Sequence, residues 1–314
     1  MADSQRVLVT GAAGFIGSHL LHLLLAKGIR VAALIRPESD CWRIRHLLPD
    51  VVKIDGDLRE LGAVEEAVRD FRPGTFIHLA WYGVGNSYRN DPLQVMNNLQ
   101  SSLELLHLAQ RVGCQTFIGL GSQAEYGPLS GPVDESATPS PTTLYGTTKL
   151  CAYLLGQQLA GQLGIRFIWL RLFSAYGPMD NPGWMIPSLI LRLLGGERPA
   201  LTKGTQQWDY VFVNDVADAI YALMMTPGAS GVFNLGSGQA HTIRSIVEQI
   251  RDLIDPALPL GFGEVPFRDD QVMHLEADIT RLRREASWSP QVRLPDGIAK
   301  TVEWYREHRE RFNV

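Results

Sequence analysis

The sequence predicts a doubly wound α/β fold built on a parallel sheet, and three observations predict it. Short β-branched apolar runs alternate with helical stretches from Arg6 to Leu172. A glycine run, GAAGFIG, separates the first strand from the first helix. The chain has 314 residues, 45% hydrophobic and 20% charged, enough for one large core or two joined ones.

The elements follow in order. RVLVT (6–10) predicts a strand that ends in glycines, and FIGSHLLHLLLAKG predicts the first helix. Strands are predicted at 31–35, 51–54, 75–80, 115–120 and 165–170. Between them Met96, Leu99, Leu103 and Leu106 recur at three- and four-residue spacing, which predicts the buried face of a helix. Crossover helices must cover both faces of a parallel sheet, so its strands read as nearly continuous apolar runs. The segment 127–143 is rich in Pro, Ser and Thr and predicts a long surface loop. After Leu172 the pattern loosens, and 211–225 reads as one more strand and helix. The C-terminal part is expected to form a smaller lobe.

Composition excludes several classes. A net charge of −4 gives no footprint for nucleic acid or an anionic membrane. Cys41, Cys114 and Cys151 are too few and too scattered for a disulfide framework or a zinc site. His78 sits in a strand and reads as space-filling, so no metal is expected. MADSQ runs straight into RVLVT without an export signal, and the apolar stretch 20–26 is too short to span a bilayer. A cytoplasmic protein with no membrane association is the expectation.

Gly11, Gly14 and Gly17 stand where a dinucleotide fingerprint requires them, between strand and helix. Glycines let bare backbone approach a pyrophosphate, and the helix that follows directs its positive end at it. The end of the second strand distinguishes the dinucleotides, since an acidic residue there accepts the ribose hydroxyls of NAD. This chain has Arg36, whose guanidinium suits the 2′-phosphate of NADP. NADP(H) is therefore favoured, with NAD(H) the alternative if Arg36 is only a surface residue. Asp57 either accepts a bond from the adenine amino group or closes a turn.

Tyr145 and Lys149 are four residues apart and share one helix face. An ammonium beside the phenol is expected to lower its pKa and let it exchange a proton near neutrality. Ser122, at the end of the fifth strand, is placed to orient a substrate hydroxyl or carbonyl.

With these residues in place, the chain resembles the extended short-chain dehydrogenases/reductases, in their branch of nucleotide-sugar epimerases, dehydratases and reductases. The likeness runs nearly end to end, through GAAGFIG, GDL, HLAW, Asn98, GSQAEYG, YGTTK, RLFSAYGP, WDYVFVNDVADA, FNLGSG and the terminal WSPQ. It implies a Rossmann-type dinucleotide-binding domain over 1–173 and 210–237, and a substrate-binding lobe over 174–209 and 238–314. It further implies a nucleotide-sugar substrate and a homodimer formed through two long helices per subunit. Cofactor contacts are implied at Phe15, Ile16, Leu58, Leu79, Ala80, Trp81 and Asn98, besides the glycines, Tyr145 and Lys149.

Members that dehydrate sugars follow the serine with an Asp–Glu pair. Here Gln123 and Ala124 follow Ser122, neither able to act as acid or base, and Glu125 reads as structural. A 4-ketoreductase using NADPH is favoured by Arg36, a 4-epimerase retaining NAD is the alternative, and a non-enzymatic dinucleotide sensor is the remote one. The substrate side departs twice from the family pattern. Ser174 replaces the usual Asn, and Trp208 replaces an Arg that holds a diphosphate, while Arg268 still matches a diphosphate-binding arginine. Trp208 either stacks on a base or sugar or packs in the lobe. Trp81 and Tyr82 stand where small residues are usual and imply an altered pocket, unless they are core.

Overall fold

A computed structural model describes residues 5–268 and 271–312. Seven parallel strands form the main sheet: β1 (Arg6–Thr10), β2 (Arg30–Ile35), β3 (Val52–Asp55), β4 (Thr75–His78), β5 (Thr116–Ser122), β6 (Arg166–Leu172) and β7 (Gly231–Leu235). Their order across the sheet is β3-β2-β1-β4-β5-β6-β7, with every pairing parallel. This is the doubly wound architecture that the alternating pattern predicts. The chain leaves β1 towards one edge and returns at β4 towards the other, so the connections after β1 and β4 diverge. A crevice opens there at the carboxyl ends of the strands.

The helices are α1 (Phe15–Ala26), α2 (Glu65–Phe71), α3 (Gln100–Arg111), α4 (Leu144–Leu163), α5 (Met185–Leu194), α6 (Val213–Met225), α7 (Ile243–Ile254), α8 (Thr280–Ala286) and α9 (Leu294–Glu307). Apolar clusters lie on both faces of the sheet: Leu20, Leu24, Ile220 and Leu223 belong to one, Leu105, Leu106, Phe117 and Phe167 to the other. A separate core forms where α5, α7 and α9 meet, around Ile190, Val247, Ile250 and Ile298. Beside it, Gln207–Asp209 pairs with Ala240–Thr242 and His274–Ala277, and the latter pairs with Pro132–Val133. The predicted loop 127–143 thus contains a two-residue strand. Among the described residues no helix is long and apolar enough to cross a membrane.

One predicted face is displaced. Met96 is 65% exposed, and the buried side of α3 carries Ser101, Ser102, Leu105, Leu106, Leu108 and Ala109 instead. The cause is a π-helical turn over Val95–Leu99. Its wider winding breaks the 3.6-residue period, so Met96 and Leu106 no longer share a face.

The end of β5 is fixed from behind. Gly119 pairs with Trp169 across β5 and β6, and a Cβ at Gly119 would lie 2.4 Å from the indole, one at Gly121 2.2 Å from its Nε1. The alternating glycines make a slot that Trp169 fills. Glu125, 0% exposed, accepts bonds from Trp169 Nε1 (2.9 Å), Arg171 Nε (2.8 Å) and the Ser122 amide (2.9 Å). Arg171 is itself 2% exposed. Removing one partner of such a pair strands the other charge in a dry interior. Glu125→Ala is expected to lower stability by about 3–5 kcal/mol in denaturant titration, whereas a change below about 1 kcal/mol would mean the pair is solvated.

Candidate active site

The candidate catalytic, cofactor and substrate residues all line one cleft of about 1980 Å³ at the carboxyl ends of the strands. The glycine loop, Arg36, Asp57, Leu58, Leu79, Ala80 and Trp81 lie along it; Asn98, Ser122, Gln123, Tyr145 and Lys149 line its middle; Ser174, Trp208 and Arg268 stand on the far wall. Among the described residues no group of His, Cys, Asp or Glu could hold a metal ion.

The phosphate loop is shaped by close approach. Gly11 has φ +73°, and a Cβ there would lie 2.6 Å from the Ala80 amide nitrogen. A Cβ at Gly17 would lie 2.1 Å from the Gly11 carbonyl oxygen, so only glycine lets α1 start this near β1. No side chain caps α1 at Gly14, and Gly14, Phe15, Ile16 and Gly17 border the cleft. Uncapped amides at a helix start suit an anion such as a dinucleotide pyrophosphate. Beneath them Thr10 Oγ1 bonds His78 Nδ1 at 2.8 Å, and His78 Nε2 bonds Ser102 Oγ at 3.1 Å. Burial pushes the His78 imidazole down to about 3, so it stays neutral and ties β1, β4 and α3 together.

At the ends of β2 and β3 the polar groups are already paired. Arg36 Nε lies 3.5 Å from Glu38 Oε1 in an exposed ion pair. Asp57 caps the next turn, accepting from the Arg59 amide at 2.8 Å and from its guanidinium at 2.9 and 2.8 Å. The Arg59 hydrogen bonds hold the Asp57 carboxyl below its usual range. Both Asp57 oxygens are thus engaged within the turn.

Ser122, Tyr145 and Lys149 converge where β5 meets α4. Thr143 caps α4 by accepting from the Gly146 amide at 3.1 Å, and the Tyr145 amide donates to Arg89 O at 2.8 Å. A Cβ at Gly146 would lie 2.4 Å from Ala124 O, so glycine seats the helix against the turn that carries Ser122. Tyr145 is 6% and Lys149 4% exposed. The expected lowering of the phenol is not found: burial raises the Tyr145 pKa, and a Ser122 hydrogen bond and the Arg89 charge only partly oppose it. Lys149 does not supply the pull, because its Nζ lies 6.0 Å from the phenol ring centre and donates to Leu120 O. Burial also pushes the lysine down, to about 7, against the attraction of Glu125. The site therefore holds a protonated phenol beside an ammonium near its midpoint.

Sequence reasoning missed the segment that covers this pair. Arg89 lies 5.2 Å from the Tyr145 ring centre, and Gln94, fully buried, bonds Trp81 and Asn98. Asn98 lines the cleft, but its amide is engaged with the Tyr82 backbone at 2.7 and 3.2 Å. Nothing in Arg89 or Gln94 taken alone distinguishes either from a loop residue. On the far wall the two departures from the family pattern meet. Trp208 Nε1 donates to Ser174 Oγ at 2.8 Å, joining positions that the sequence keeps far apart. The indole also borders a second cavity of about 390 Å³ lined by Leu189, Leu201 and Val247.

The chain matches known proteins along most of its length. A family model described as the NAD dependent epimerase/dehydratase family matches residues 7–236. The chain is 30% identical to a UDP-glucose 4-epimerase of Azospirillum brasilense, over 97% of this chain and 93% of that one. It is also 30% identical to a dTDP-glucose 4,6-dehydratase of Streptomyces griseus, over 98% and 95%. Among solved structures, the Thermus thermophilus UDP-glucose 4-epimerase in complex with NAD superposes with a TM-score of 0.85 at 27% identity, covering 96% of this chain and 99% of that one. The family model spans most of the chain and the relatives match nearly all of it, so the chain belongs to the NAD dependent epimerase/dehydratase family of enzymes.

Proposed function

We propose that the chain is an NADP(H)-dependent reductase of a nucleotide-linked 4-keto-6-deoxysugar. The observation that carries this reading is the proton inventory around Ser122. The phenol of Tyr145 is buried in its acid form, as a proton donor requires, while Gln123 and Ala124 line the cleft where an eliminating acid–base pair would stand. Glu125 does not substitute for that pair, because Arg171, Trp169 and the Ser122 amide occupy it.

Bound NADPH would supply a hydride to C4, becoming NADP⁺. Tyr145 gives its proton to the C4 oxygen, so ketone becomes alcohol, and Ser122 holds that oxygen in line. The Lys149 ammonium offsets the charge that the departing proton leaves on the phenol. Residues 174–209 and 238–314 contribute Ser174, Trp208 and Arg268 to the wall facing the sugar nucleotide. Arg36 supports NADP(H): its exposed pair with Glu38 is worth about 0–1 kcal/mol, so a 2′-phosphate displaces Glu38 at little cost. A second reading, a 4-epimerase that retains NAD, draws on the NAD-bound and 4-epimerase relatives.

With NADPH and a panel of nucleotide-linked 4-keto-6-deoxysugars, deuterium from C4-labelled NADPH should appear at sugar C4. Tyr145→Phe should cut turnover by about 10²–10⁴ while NADPH still binds; full turnover in that variant would end the mechanism. Lys149 acts charged, so kcat should fall as pH rises through about 7, and Tyr145, raised further, stays protonated across that range. The homodimer is supported by Leu154 and Leu155 on α4 and Met96 ahead of α3, all exposed. Sedimentation should give a dimer that Leu154→Glu with Leu155→Glu converts to monomer; a wild-type monomer would refute this surface.

A further inference from the structure

The segment after β4 lays an aromatic face over the catalytic ammonium. The Trp81 ring centre lies 3.5 Å from Lys149 Nζ. Its indole N–H donates to Gln94 Oε1 at 3.0 Å, and Asn98 Nδ2 donates to the same oxygen at 3.0 Å. Gln94 in turn donates to the carbonyls of Gly83 (2.6 Å) and Tyr88 (3.0 Å). The ring is therefore anchored by a hydrogen-bond chain that does not include Lys149. The ammonium itself donates to Leu120 O at 2.5 Å.

We propose that Trp81 is a positioning residue, whose indole face replaces water over the Lys149 ammonium and holds that nitrogen charged beside Tyr145. An ammonium buried with one carbonyl partner is poorly solvated, and the negative face of an indole favours only its charged form. The other groups around Lys149 do not fill this role alone. Glu125, in the turn after β5, attracts it, but that carboxylate is shared with Arg171 of β6. His78 of β4 and Tyr145 of α4 are neutral. Arg89, a cation on the covering segment, lies over the phenol ring. Trp81 thus offsets part of the burial that pushes the lysine down.

This inference rests on the reading of Ser122, Tyr145 and Lys149 as the reacting group, yet its test needs no substrate. The chain has five lysines, Lys27, Lys53, Lys149, Lys203 and Lys300, so lysine labelled with ¹³C at Cε gives a spectrum in which Lys149→Arg identifies the Lys149 signal. Titrating the whole, cofactor-free protein reads its midpoint directly. Trp81→Leu keeps an apolar side chain but supplies no ring, and should lower the midpoint by about one pH unit. Trp81→Phe keeps a ring and should leave it within a few tenths. An unchanged midpoint in a folded Trp81→Leu protein would overturn the proposal and reduce Trp81 to packing. If Trp81→Leu does not fold, Gln94→Met, which unties the indole, serves instead: a lowered midpoint supports the proposal and an unchanged one overturns it. Failure of every keto-sugar to turn over would count against the reductase reading and leave this titration untouched.

Discussion

The site depends on a buried carboxylate. Glu125 takes three donors at once, from Arg171, Trp169 and the amide of Ser122, and so joins the end of β5 to the neighbouring strand. Two buried charges cost several kcal/mol each in desolvation unless their geometry and remaining hydrogen bonds repay it. Here the repayment is local and complete enough to fix Ser122 at a strand end, where a loop serine would wander. The glycines at 119 and 121 belong to the same arrangement, since a side chain at either would expel Trp169. Gly146 then lets α4 press against the turn, which brings Tyr145 to Ser122.

Burial sets the chemistry of what is brought together. Had solvent reached Tyr145 and Lys149, their ordinary affinities would leave the lysine fully charged and the phenol equally protonated. In the dry site both neutral forms are favoured, the tyrosine as a retained acid and the lysine as a base near neutrality. A reductase needs that acid, and needs the lysine charged only as the proton leaves. The covering segment from Trp81 to Asn98 creates this dryness, and its hydrogen bonds run among its own residues and to the start of α4. The far wall is less charged than the family pattern implies, because Trp208 stands in place of an arginine and its indole donates to Ser174.

Much of this was legible in the sequence, for identifiable reasons. Strand and helix alternation survives because parallel strands are buried on both faces and must be apolar throughout. The glycine loop, Ser122, Tyr145 and Lys149 are local patterns at short spacing, and they meet in the cleft. Glu125 reads as structural because its position in the turn is one residue too late for catalysis, and its buried pair agrees. What failed was period and context. The π-helical turn at Val95–Leu99 displaced the face read from Met96, and the direction of the Tyr145 shift depends on burial, which no spacing encodes. The Trp208–Ser174 bond and the Gln94 anchor join residues through the fold rather than through a motif.

On the proposed reading, the chain exchanges NADP(H) with solution and does not retain NAD through a closed cycle. This is tested most directly by denaturing the purified protein, identifying any dinucleotide released, and titrating the emptied protein with NADPH and NADH. Little retained cofactor and tighter binding of NADPH are expected, the preference being lost when Arg36 is replaced by Asp. Stoichiometric NAD in the released fraction, with no preference for NADPH, would contradict it and make the chain an epimerase.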